Sequence, residues 1–375
     1  MDHDEVYLAR AFELARRGRF TTAPNPNVGC VIVRDGRIVG EGYHQRAGYA
    51  HAEVHALRQA GNAARCATAY VTLEPCSHHG RTPPCADALI DAGVARVVAA
   101  MPDPNPQVAG RGFYRLQQAG IEVRHGLMLP EAEAVNPGFL KRMRTGFPWV
   151  RLKLAASLDG RTAMASGESQ WITSTEARRD VQRWRAESDA ILSTATTVLA
   201  DDPALTVRWA SLPEDVQALY PEERLRQPVR VIIDRANSVT PSHWVAQGVG
   251  LTWLARLAPD DLTWPSSVEQ LLLPAGEGAN AAHLDLVALM MQLGRRQINS
   301  LWVEAGAGLA GALLGAGLVD ELILYQAPKL LGADARPLCL LPGLERLGAA
   351  PGFTLLDVRQ VGPDLRLCLK PGERA

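Results

Sequence analysis

Cysteine is scarce in this chain: 375 residues carry six, at Cys30, Cys66, Cys76, Cys85, Cys339 and Cys368. Scattered along so long a sequence, they argue against a disulfide framework and read as reduced thiols plus a metal site. Long apolar runs are also missing. None reaches the ~18 residues needed to cross a bilayer, so no transmembrane helix is expected. The opening MDHDEVYLARAFELARRG is charged and amphipathic and lacks an apolar h-region, so it does not read as a signal peptide. An excess of one charge is absent as well. The 39 Lys and Arg balance 40 Asp and Glu, for a net charge of −1, which argues against nucleic-acid or acidic-membrane binding through bulk charge. The expected compartment is the cytoplasm.

What is present is ordinary globular composition, 47% apolar and 21% charged. The length exceeds one common domain, so two unequal domains are expected, 1–146 and 147–375. The most informative residues are His51-Ala52-Glu53 and the run from Glu74-Pro75-Cys76 to Pro83-Pro84-Cys85. One imidazole (His51) and two thiolates (Cys76, Cys85) make three protein ligands for Zn²⁺ and leave the fourth tetrahedral position to water. Such an open site is catalytic in type, because bound water ionises near neutral pH. Glu53, two residues from His51, is placed to move protons without being a ligand. A lone His-x-Glu is usually a surface accident and a lone cysteine a core thiol; the ordered combination is what carries the signal. His55, one turn after His51, reads as packing, since two cysteines already complete the ligand set.

Local patterns put these residues on defined elements. Apolar residues from Val6 to Ala15 recur at helical spacing, with Gly18 as the expected C-cap. Val28–Arg34 and Arg37–Tyr43 flank Asp35-Gly36, a strong hairpin signal. His51 opens a helix ending at Gly61, Ala69–Leu73 reads as a buried strand, and Pro83-Pro84 precede a helix CADALIDAG. Helix N-termini there favour thiolate and hydroxide. Strands at Val94–Ala100 and Ile121–Val123 complete a three-layer α/β sandwich. The basic stretch Lys141–Pro148 reads as a linker. A second α/β pattern follows: strands at Trp149–Ala155, Ala190–Ser193, Val229–Ile233, Ser300–Glu304 and Leu322–Tyr325, and helices ending near Glu187 and spanning Leu284–Gln297 and Leu309–Ala316. Thr173–Glu176 reads as a capping box. Gly306, Gly308 and Gly311 fit G-x-G-x-x-G between strand and helix, a turn that lets phosphates approach backbone N–H groups.

The zinc nucleobase deaminases carry H-x-E…P-C-x-x-C. Here eight residues, not two, separate Cys76 from Cys85. PCSHHGRTPPC after HAE resembles the bacterial bifunctional riboflavin-biosynthesis deaminase/reductase family, whose pattern is PCSH-x-G-(R/K)-TPPC. LKLAASLDGRTA, SGESQWIT, LADDPALTVR and VEAGAGLAGALL are similar to its reductase half, so the resemblance spans essentially the whole chain.

The resemblance implies a cytidine-deaminase-like sandwich followed by a dihydrofolate-reductase-like α/β domain, with Zn²⁺ and NADPH as cofactors. It implies deamination of a diaminopyrimidinone ribosyl phosphate, then NADPH-dependent reduction of the ribosyl group to ribityl. It places Asn25, His44, His78 and Arg81 near the first substrate, the last two as donors to a phosphorylated ribose. NADPH contacts are implied at Ala155, Trp171, Thr197, Asp201 and the turn Gly306, Ala307, Gly308, Leu309, Ala310, Gly311 and Ala312. Substrate contacts are implied at Ser169, Arg185, Leu205, Arg208 and Glu304, with Lys153 orienting the ribose beside the hydride-transfer site. Where relatives carry a small hydroxyl residue this chain has Arg235, an expected partner for the cofactor 2′-phosphate. A homodimer through the second domain is implied as well. Each of these residues also has a plainer role: Asn25 and His44 as loop, Arg185 and Arg208 as surface charge, Trp171 as core. The rival functions are a deaminase of free cytidine or tRNA with a targeting module, a non-catalytic zinc scaffold, and an enzyme with one degenerate half.

Overall fold

The computed structural model describes residues 3–77, 83–106, 108–277 and 281–372. The chain divides into two compact units, Met1–Phe147 and Pro148–Ala375. The first contains α1 (His3–Ala15), β1 (Gly29–Arg34), β2 (Arg37–Tyr43), α2 (Ala52–Ala60), β3 (Thr68–Val71), α3 (Cys85–Asp91), β4 (Arg96–Ala99), α4 (Arg111–Gln118), β5 (Glu122–His125), α5 (Leu129–Val135) and α6 (Pro137–Thr145). Its sheet runs β2-β1-β3-β4-β5. The first strand is antiparallel to both neighbours, and β3, β4 and β5 are parallel.

Period-two alternation makes the three layers. Val31 and Val33 of β1 pack with residues of α1, α5 and α6, while Cys30 and Ile32 pack with α2, α3 and α4. Asp35 (φ 52°) and Gly36 (φ 72°) form the expected tight turn, whose left-handed residues match the strand twist. Gly29 is required by close approach: a Cβ there would lie 1.9 Å from the Ala11 carbonyl oxygen of α1.

Two local expectations need correction. Gly18 does not cap α1 but ends the 3-10 turn Arg16–Gly18. Its bare backbone makes room for the His44 carbonyl, 2.6 Å from where a Cβ would sit. The supposed linker is helical up to Thr145, because Phe139 and Leu140 of α6 are buried in the core. The chain turns only at Gly146, φ 80°.

The second unit contains β6 (Trp149–Ser157), β7 (Arg161–Ala163), α7 (Thr175–Glu187), β8 (Ala190–Thr194), α8 (Ala195–Asp201), α9 (Glu214–Leu219), β9 (Val229–Ile233), α10 (Trp244–Gln247), β10 (Thr252–Arg256), β11 (Val268–Leu272), α11 (Leu286–Arg295), β12 (Ser300–Glu304), α12 (Ala307–Gly315), β13 (Glu321–Ala327), β14 (Arg336–Pro337), β15 (Phe353–Val361) and β16 (Asp364–Pro371). A nine-stranded sheet runs β11-β10-β9-β8-β12-β6-β13-β16-β15. It is parallel from β11 to β13 and closes with the antiparallel β16 and β15. The closing hairpin, β10 and β11 are absent from the sequence reading. Most of β15 is exposed on both faces, so it lacks the alternation that marks a strand.

The capping box is shifted by one residue. Ser174 caps α7 by accepting the Ala177 N–H at 3.2 Å, and the reciprocal bond comes from afar, with the Ser174 N–H donated to Asp364 at 2.7 Å. The glycine turn after β12 forms as expected. Gly306 is the N-cap of α12, and a Cβ on Gly311 would fall 1.8 Å from the Leu340 carbonyl oxygen.

Candidate active sites

In the first unit His51 is the N-cap of α2 and Cys85 the first residue of α3. Cys76 stands in the loop that follows β3. The His51 Nδ1 lies 3.2 Å from Cys85 Sγ and 3.5 Å from Cys76 Sγ, and all three donor atoms fall within 4.8 Å of one another. Bonds of about 2.0–2.3 Å to a tetrahedral zinc space its ligands by roughly 3.5–3.8 Å, so this donor set fits the ion. The Cys85 backbone N–H, at the opening of α3, donates to Cys76 Sγ at 3.3 Å. The Cys85 thiol as donor, then the His51 ring and this N–H, hold the Cys76 thiol well below its ordinary pKa against the opposing effect of burial. His55 is outside the cluster.

Glu53 is 3% exposed, and its Oε2 has no hydrogen-bond partner among the described residues. Burial raises the pKa of its carboxyl, with His51 opposing. Asn25 and His44 arrive from separate loops: Asn25 Nδ2 is 3.1 Å from His44 Nε2, and the His44 ring meets His51 edge-on at 5.1 Å. His44 Nδ1 lies 3.2 Å from the Ala50 carbonyl, to which it donates. Burial, chiefly, brings the His44 pKa down to about 4, so the ring is neutral and its Nε2 accepts from Asn25. His78 and Arg81 lie outside the described residues.

Glu74 was missed in the sequence. Its buried carboxylate accepts the backbone N–H groups of Asp103 (3.1 Å), Gly110 (2.9 Å) and Gly112 (2.9 Å), tying the Cys76 loop to the segment after β4. Gly112 leaves the space for it. The only cue was a carboxylate next to Pro75-Cys76, with no periodic reason to be buried.

In the second unit the ends of β8 and β9 and the helices α8 and α12 border a cavity of about 1820 Å³. Arg235, Gly308, Leu309, Gly311 and Ala312 line it; Ala155, Trp171, Thr197, Asp201, Gly306, Ala307 and Ala310 are not among its lining residues. Ala310 is fully buried, its side chain turned into the core. A Cβ on Gly306 or Gly308 would meet open space, as a cradle for a phosphate at a helix N-terminus requires. Arg235 follows β9, with its Nη1 donating to the Ala282 carbonyl. Thr197 N–H is capped by Thr194 Oγ1 at 3.3 Å, and Gln170 Nε2 joins the Trp171 loop to Asp201 at 2.9 Å. Trp171 is exposed, with the Arg178 guanidinium 4.4 Å above its ring, so it is not core.

Arg185 and Glu304 meet at the end of β12, beside the 205–208 segment. Arg185 of α7 grips Glu304 through Nε to Oε1 (2.6 Å) and Nη2 to Oε2 (2.8 Å), and its Nη1 donates to the Thr206 carbonyl between Leu205 and Arg208. That is a largely buried ion pair, not surface charge. Lys153 is the register partner of Glu304 on β6. Burial works to raise the Glu304 pKa, but Arg185, then Lys153 and the Trp302 indole, hold it down at about 2. Burial lowers the Lys153 pKa, with Glu304 opposing. Leu205 is buried in the core at φ 48°, Arg208 is exposed, and Ser169 is half-buried in the loop before Trp171.

Residues 148–367 match the RibD C-terminal domain, and residues 1–101 match the cytidine and deoxycytidylate deaminase zinc-binding region. The riboflavin biosynthesis protein RibD of Escherichia coli is 71% identical over 98% of this chain and 99% of its own length. The chain belongs to the RibD family. The Haemophilus influenzae RibD is 56% identical over 98% of this chain and 97% of its own. Among solved structures, Acinetobacter baumannii RibD superposes with a TM-score of 0.89 at 46% identity, covering 99% of both chains. A Thermotoga maritima diaminohydroxyphosphoribosylaminopyrimidine deaminase/5-amino-6-(5-phosphoribosylamino)uracil reductase gives 0.84 at 32%, again over 99% of both. A deaminase-like first fold and a RibD reductase second fold are thus borne out, and RibD membership carries Zn²⁺ and NADPH as cofactors. Among the described residues, no helix is long and apolar enough to cross a membrane.

The purified chain should hold about one zinc by elemental analysis, and Cys76→Ser, which removes one of three ligands, should weaken zinc retention against a chelator by about tenfold or more.

Proposed function

We propose that the first unit hydrolytically deaminates 2,5-diamino-6-ribosylamino-4(3H)-pyrimidinone 5′-phosphate and that the second reduces the ribosyl group of the product to ribityl, a step of riboflavin biosynthesis. The observation that carries this reading is the His51, Cys76 and Cys85 cluster beside a buried Glu53 whose Oε2 has no hydrogen-bond partner among the described residues. A zinc ion held there acts as a Lewis acid that makes water nucleophilic near neutral pH. Glu53 takes the proton of the attacking water and returns it to the departing ammonia, a role suited to a carboxyl whose pKa burial has raised. Asn25 and His44 orient the pyrimidine ring, with His78 and Arg81 taking its phosphate.

In the second unit bound NADPH would supply a hydride to the ribose C1′ as the C1′–O4′ bond opens and the ring oxygen takes a proton. Lys153 and Glu304 hold the ribose, Arg185 fixes Glu304, and Ser169, Leu205 and Arg208 complete the substrate side. Ala155, Trp171, Thr197, Asp201 and the turn 306–312 would hold the cofactor, the backbone N–H groups that open α12 serving as donors to phosphate. Arg235 on the cavity wall pairs with the 2′-phosphate. We also read the chain as a homodimer through the second unit. In support, the edge strand β15 presents Leu355, Leu356 and Val358 at more than half exposure, an apolar edge that a second copy would cover.

Three measurements test these assignments. Given the diaminopyrimidinone phosphate, the chain should release ammonia and consume NADPH, recorded separately; Glu53→Ala should lose ammonia release by at least about a hundredfold while still binding zinc. Substantial residual deamination in that variant removes Glu53 from its role. For Arg235→Ala the expected result is an NADPH KM raised about tenfold with the NADH KM unmoved; an unchanged NADPH KM refutes the pairing. Leu356→Glu should convert a dimer to a monomer in sedimentation, and a wild-type monomer would end that reading.

A further inference from the structure

The Glu304 carboxylate is held from three directions. Arg185 of α7 grips both oxygens, and Lys153 faces it across the register from β6. The third hold comes from its own strand. Trp302, two residues earlier and therefore on the same face of β12, donates its indole Nε1–H to Glu304 Oε1 at 2.7 Å.

Trp302 has 0% exposure, so it touches no ligand itself, and its indole N–H is given to Glu304. Its ring stacks on Trp184 at 5.8 Å and 4° between planes. The Trp184 indole N–H donates to the Tyr325 hydroxyl at 3.1 Å, which donates in turn to Asp180 at 2.6 Å. An indole packed this closely keeps one rotamer, and its N–H is a fixed donor. Arg185 is different in kind: a fork-to-fork pair fixes two groups to each other, but both ride on flexible side chains. The indole is what ties the carboxylate to the sheet.

We propose that Trp302 is a positioning residue of the reductase, setting the plane of the Glu304 carboxylate against Lys153. This rests on the reading above that Glu304 belongs to the reductase substrate site.

The test uses the full chain and NADPH oxidation with the deaminated substrate. Trp302→Phe keeps a ring in the stack and loses the N–H. It should lower kcat about tenfold and leave the NADPH KM within about twofold. Trp302→Tyr, whose hydroxyl lies elsewhere, provides a second variant with the same expected loss should the first fold poorly. Trp184→Phe disturbs the same stack but leaves the Trp302 donor in place, and should stay within about twofold of wild type. Equal losses at 302 and 184, or an unchanged kcat in both 302 variants, overturn the proposal. Glu304→Gln separates it from its foundation. Full activity in that variant removes Glu304 from the substrate site, and the role of Trp302 falls with it. Loss in Glu304→Gln with full activity in the Trp302 variants defeats only the positioning role.

Discussion

Three donor atoms from two stretches of chain must meet within the reach of one small ion, and the first unit is arranged to satisfy that requirement. Its solution is to pack α2 and α3 on the same face of one sheet, so that their N-termini lie together. His51 and Cys85 then stand at neighbouring helix starts, and Cys76 accepts an N–H from the second of them. The same placement stabilises anionic sulfur, since the first N–H groups of a helix have no partner within it. Glycines set how closely the helices press on the hairpin. Burial then does the remaining tuning, raising the Glu53 carboxyl and lowering the His44 ring.

The second unit meets a different constraint, that of holding charge in a half-buried wall. Lys153, Arg185 and Glu304 come from β6, α7 and β12. Two cations and one anion in low dielectric repel or attract strongly, so their order matters more than their number. Arg185 neutralises Glu304 directly, and among the described residues Lys153 has no hydrogen-bonded carboxylate. That leaves an ammonium with a depressed pKa beside an anchored carboxylate, a pair suited to the hydroxyls of a sugar. Parallel strand order produces the crevice at the carboxyl ends of the strands where such sites form.

Much of this was legible in one dimension. The hairpin at Asp35-Gly36, the helix opened by His51 and the glycine turn after β12 follow from rules that span a few residues. Errors arose where distant contacts override those rules. Lys141–Thr145 looked like a basic linker, but Phe139 and Leu140 anchor it as helix. The box before α7 slipped by one residue because Asp364, far along the chain, supplies the second cap bond. Strand β15 carried no alternation because both of its faces are largely exposed.

By itself, the sequence determined the donor types, their order and the local elements that carry them, since ligand chemistry and turn preferences are properties of short segments. Tertiary structure alone decided which charges face each other. The register that sets Lys153 opposite Glu304, the reach of Arg185 to that carboxylate, the indole of Trp302 and the clamp made by Glu74 all depend on strand order and packing. No local rule encodes those, because each contact joins elements whose neighbourhood exists only after the sheet has formed.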